Sequence, residues 1–120
     1  MSMDDKAEAL ATLEVKRNRT LADLDAVQTA RQGVDSRLSE VADMQSHVNA
    51  SFIRQLEDDT LSEDNRQALY REWGAALLKE SSEIEMLTSE HNRLHIQEVV
   101  LVRMLTEIER QIEALRAELG

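Results

Sequence analysis

From Leu10 onward, large apolar residues recur at alternating steps of three and four. With Leu10 at position a of a heptad, the a series runs Leu10, Arg17, Leu24, Arg31, Leu38, Gln45, Phe52. The d series runs Leu13, Thr20, Val27, Val34, Val41, Val48, Gln55. Heptads sustained over this length predict a coiled coil rather than an ordinary surface helix. Every second a position is polar. The repeat lapses in the acidic stretch EDDTLSEDN, residues 57–65. Thr60, followed three residues later by Glu63, predicts a capping box and the start of a second helix, with Ser62 as an alternative cap. Acids at that end also suit the helix dipole.

A second register follows. Its a positions are Tyr70, Leu77, Ile84, His91, Glu98, Leu105, Ile112, Leu119, and its d positions Arg66, Trp73, Glu80, Leu87, Leu94, Leu101, Ile108, Leu115. The chain therefore reads as all-α and one domain, 1–120: a helix over about 4–56, a turn over about 57–61 and a helix over about 62–119. Each helix would be about 75 Å long at about 1.5 Å per residue. A short turn makes such helices antiparallel neighbours, so the expected architecture is a long two-helix coiled-coil hairpin. Gly33 and Gly74 interrupt good helix and mark a kink or a close approach. A break at Gly33, with Ser36 recapping, would give the alternative, a three-helix bundle.

Centring the turn at Asp59 pairs Val48 with Tyr70, Val41 with Leu77, Val34 with Ile84, Leu24 with Leu94 and Leu13 with Leu105. Arg17 then falls beside Glu98. This pair, with Arg31, would form a polar seam that costs stability but fixes register. Phe52, Tyr70 and Trp73 would plug the turn end. Ile112, Leu115 and Leu119 would overhang the start of the first helix.

The segment LHIQEVVLVRML, residues 94–105, has eight large apolar residues out of twelve. The seam accounts for Leu94, Leu101 and Leu105. Ile96, Val99 and Val100 fall at f, b and c, on the face turned away from the seam, and their spacing joins them in one patch. Val102 and Met104 sit at the flanks of the seam, where they would be half covered. A contiguous apolar patch, unlike a scattered apolar residue, needs a partner. Towards the turn the same face carries Ala75, Leu78, Ser82 and Ser89. Ile96, Val99, Val100, Val102, Ile112, Leu115 and Leu119 are therefore the expected partner-binding residues, and pairing of two hairpins into a four-helix bundle would cover them.

Composition agrees with long helices: there is no Pro, only three Gly and only three aromatic residues. The net charge is −10, with 24 acids against 14 bases spread evenly over both halves. A surface this acidic repels nucleic acid and anionic membranes. Without cysteine there is no disulfide framework or thiol chemistry. The start, MSMDDKAEAL, lacks the features of a signal peptide, so a cytoplasmic location is expected. NRT at Asn18 and NAS at Asn49 match the glycosylation pattern but fall within predicted helix.

Candidate chemistry is thin. His91 and His95 share a helical face with Glu98, but Asn92 stands where an HEXXH motif needs Glu, so no metal or cofactor is expected. The acids of the turn lack the alternation and central Gly of an EF-hand loop. A narrow hairpin also offers no deep pocket for a small-molecule substrate. The expected function is a non-catalytic protein–protein interaction module: an adaptor, assembly subunit or partner-specific chaperone that pairs with itself or with a helical protein. The alternative is a structural spacer, scaffold or stalk in a larger complex. In length and outline the chain resembles the small coiled-coil hairpins of bacterial secretion machines, such as the stalk proteins of type III export and the helical partners of type VII substrates. The W-x-G turn of the latter is absent, since Gly74 directly follows Trp73, and no residue roles carry over.

Overall fold

A computed structural model describes residues 2–120. Two helices make up the chain, α1 (Met3–Leu56) and α2 (Glu63–Leu119), and they pack against each other as an all-α hairpin. Each start has a chemical cause. At α1, Ser2 Oγ accepts the Asp5 amide N–H at 3.1 Å while the Ser2 amide reaches back to Asp5 Oδ2 at 3.4 Å. These reciprocal bonds satisfy donors that a helix start leaves open. At α2 the cap is Ser62, whose Oγ accepts the Asn65 amide at 3.2 Å. The capping box expected at Thr60 does not form. Thr60 instead donates its amide and hydroxyl to Asp58 Oδ1, at 2.9 and 2.7 Å, and shapes the turn before the helix begins. Those two bonds, the hydroxyl's first, hold the Asp58 carboxyl below its ordinary value.

The break considered at Gly33 is absent, because α1 runs through it without interruption. Neither Gly33 nor Gly74 has a positive φ, and a Cβ built on either meets nothing within 4 Å. Neither glycine therefore serves a close helix approach.

The chain divides into two compact units, Gly33–His91 and Met1–Gln32 with Asn92–Gly120. The turn unit, Gly33–His91, has Val41 as its most buried apolar residue. Phe52 and Trp73 stack with ring centroids 5.9 Å apart, and the indole N–H donates to Asn49 Oδ1 at 2.7 Å. Tyr70 was expected to join this plug but remains about half exposed. Arg66 extends a guanidinium to the carbonyl of Leu56, 2.9 Å, closing the C-terminal end of α1 with a positive charge. Arg37 donates to Glu83 and Glu40, and His91 Nδ1 lies 2.7 Å from Asp35.

In the terminal unit, Leu94, Ile108 and Ile112 are buried, and Thr20 is buried with its hydroxyl returned to the Lys16 carbonyl. Lys6 pairs with Glu118 and Glu14 with Arg116. The expected overhang does not exist. Ile112 is only 2% exposed, and Leu115 and Leu119 are half-buried. The pairing is also displaced: Glu98 meets Arg31, two heptads from the expected Arg17.

Side-chain direction accounts for part of this displacement. Side chains lean toward the N-terminus of their own helix. In an antiparallel pair, α1 side chains therefore lean away from the turn and α2 side chains toward it. Each contact then joins an α1 residue to one further along α2 than equal offsets from the turn predict. The start of α2 adds to the effect within the turn unit, because Arg66, not the first residue of α2, stands level with Leu56.

Candidate interaction surface

The terminal unit presents the surface of interest. The a and d positions of α2 turn inward: Leu94 and Ile108 are buried, and Leu101 and Leu105 half-buried. Glu98, a seam position, also turns in, and its Oε2 lies 2.6 Å from Arg31 Nη1 with both side chains mostly covered. No charge from Glu98 therefore reaches the outer face.

The outer face is apolar. Ile96 is 64% exposed, Val100 49% and Val99 38%. On a helical wheel, Ile96 points away from α1, Val99 and Val102 turn toward one flank, and Val100 and Met104 toward the other. Val102 and Met104 are likewise more than two-fifths exposed. Over this span α2 is apolar on nearly every side, the pattern of a helix enclosed by several neighbours rather than by one. Arg103 is the charged exception on this face.

Two shallow hollows lie on the flank carrying Val100 and Met104. One, of about 350 Å³, is lined by Ile96, Gln97, Val100 and Leu101 of α2 and by Asp23 of α1. The other, of about 340 Å³, is lined by Arg103, Met104, Glu107 and Ile108 of α2 and by Lys16 of α1. Each hollow is lined in part by a seam residue, Leu101 in the first and Ile108 in the second, so a side chain entering either could touch the seam. Immediately beyond, Glu107 accepts two hydrogen bonds from Arg110 and one from Gln111. The Arg110 bonds, then Gln111, lower its carboxyl to about 2.

Ile96, Val99, Val100 and Val102, all expected to bind a partner, form this one surface. Of the residues assigned with them, Ile112 is buried in the packing of the unit itself, while Leu115 and Leu119 are half-buried and Leu115 lines an open groove with Ala9 and Leu13. Arg17, expected against Glu98, has no ion-pair partner among the described residues. It lines a polar cavity of about 490 Å³ with Ile112, Glu113 and Arg116. Met104 is the residue that sequence reasoning undervalued. Its g position marks it as a flank residue, but the hollow beside it exists only because Lys16 and Gln111 lie alongside.

In the turn unit, Leu78 is 75% exposed and Met86 is also exposed. Among the described residues no group of three or more His, Asp or Glu side chains is arranged to hold a metal ion. Nor is any helix there long and apolar enough to cross a membrane. Comparison with protein-family models, with curated proteins and with solved structures finds no match.

Proposed function

We propose that this chain is a non-catalytic interaction module, a small helical adaptor or assembly subunit that recognises another helix through α2. The observation that carries this reading is the exposed apolar surface of Ile96, Val99, Val100, Val102 and Met104 on a helix whose seam is already occupied. Fully burying one such side chain is worth about 1.5–3 kcal/mol, so leaving five of them partly in water forgoes a large stabilisation that a partner would recover. A helix laid against this face would be recognised by anchors at helical spacing. A spacer or stalk, the alternative role, has no use for such a face and would be expected to carry charge there.

The test is Val99→Glu/Val100→Glu in the tagged chain, isolated from its native cells with whatever co-purifies in fixed proportion. Circular dichroism is recorded on the purified variant. The expected result is unchanged helicity with loss of the stoichiometric companion, whether another chain or a second copy. Lost helicity would mean that these residues are internal core. An intact fold with its companion retained would return the chain to the spacer role.

A further inference from the structure

We infer that the companion is a second copy of this chain, paired antiparallel through α2 of the terminal unit with Val100 on the two-fold axis. The inference depends on the interaction reading above and adds partner and orientation to it. It starts from the order of side chains on either side of Val100. One heptad before it stands Arg93, and one heptad after it stands Glu107. Arg93, Val100 and Glu107 therefore share one line along the helix. One turn before Val100 is Ile96, and one turn after it is Met104, both exposed.

A two-fold axis through Val100 sets each residue before it against the residue equally far after it in the other copy. Arg93 then faces Glu107 of the second copy at both ends of the contact, and Ile96 packs on Met104 in the middle. An isologous contact needs this self-complementarity. A parallel arrangement would instead stack Arg93 on Arg93 and Glu107 on Glu107, which like charges oppose.

The charge distribution of the face favours the same answer. The chain carries −10 overall, yet between Arg93 and Glu107 helix α2 turns no acid outward, because Glu98 is turned inward to Arg31, and the charges that α1 adds, Asp23 beside Val100 and Lys16 beside Met104, offset each other. The basic half of the face in one copy meets the half of the other that leads into Glu107. Glu107 already accepts bonds from Arg110 and Gln111, and Arg93 already has an interaction of its own, but a carboxylate has about four acceptor sites and a guanidinium five donors, so the two can still meet. Ile96, Val100 and Met104, the apolar side chains on this side of α2, expose roughly 300 Å² per copy, the size of a large patch on a monomer. That is well under the ~800 Å² a standard interface buries on each partner, so the dimer is weak and concentration-dependent.

The chain has no cysteine, so an introduced thiol is the only one present. Purified Val100→Cys should oxidise to a covalent dimer faster than Ser36→Cys, a control at an exposed position outside the terminal unit. Arg93→Cys alone and Glu107→Cys alone should cross-link slowly, because their copies would stand about 20 Å apart at 1.5 Å per residue. A mixture of the two should cross-link rapidly as the mixed pair. In sedimentation, Arg93→Glu should weaken dimerisation at least tenfold, and Arg93→Glu/Glu107→Arg should restore it. Faster linking of Arg93→Cys with itself than with Glu107→Cys would overturn the antiparallel arrangement. A purified chain that stays monomeric throughout, with Val100→Cys no faster than the control, would overturn self-pairing. The interaction reading would still stand if Val99→Glu/Val100→Glu releases a different protein from the native complex.

Discussion

Glu98 and Arg31 meet at 2.6 Å with their side chains mostly withdrawn from water. Truncating one partner leaves the other charge half-buried and unpaired, which costs more than the pair contributes. Arg31→Ala is expected to destabilise by about 1–2 kcal/mol, between the values for exposed and fully buried pairs. Arg31→Leu/Glu98→Leu should recover that loss, and urea denaturation of the single and double variants measures both. If the double variant also changes its association state, the pair sets register as well as stability. Glu107 offers a second residue-scale test. Its carboxyl titrates at about 2 rather than near 4.5, first because Arg110 donates to it. A depressed carboxyl stabilises the fold above the ordinary range and loses that contribution as pH falls from about 4.5 through about 2. Carboxyl-carbon NMR should place the Glu107 midpoint near 2 in the native chain and return it toward 4.5 in Arg110→Ala.

Within the helices, two glycines stand where nothing requires them. Gly33 and Gly74 lie inside α1 and α2, lack positive φ, and leave open space where a Cβ would stand. Alanine at either position restricts the unfolded chain without cost to the native one. Gly33→Ala and Gly74→Ala should each stabilise by about 0.5–1 kcal/mol and raise the thermal midpoint by a few degrees. A drop in the midpoint would mean that a partner occupies that open space. The helix ends follow the same logic of local chemistry. Ser2 and Ser62 each accept an amide of the first turn, and Arg66 closes the end of α1. Ser62 caps in place of Thr60 because α2 begins at Glu63, which puts Ser62 at the position whose hydroxyl reaches the first-turn amides, while Thr60 belongs to the turn with Asp58.

For the molecule as a whole, charge opposes assembly. At −10 and with an isoelectric point near 4.7, copies repel each other at neutral pH. Sedimentation at low salt should show self-association strengthening as pH falls from 7 toward 5. Added salt at pH 7 should have the same direction of effect, through screening. Val99→Glu/Val100→Glu should abolish both responses if they pass through the apolar face. Unchanged responses would assign them to nonspecific precipitation near the isoelectric point.

The periodicity of the sequence determined the two helices and their inward positions, because a heptad repeat states which side of a helix must leave water. Leu24, Val41, Leu94 and Ile108 turn inward as the repeat requires. The same arithmetic exposed Ile96, Val99 and Val100, since a face opposite the seam needs no knowledge of the partner helix. Register was not legible. It depends on where the turn lets α2 meet the end of α1 and on the lean of long side chains, and neither leaves a periodic trace. Only the tertiary structure therefore decided that Arg31 takes Glu98, that Ile112 is buried rather than overhanging, and that Trp73 bonds Asn49 while Tyr70 stays in water.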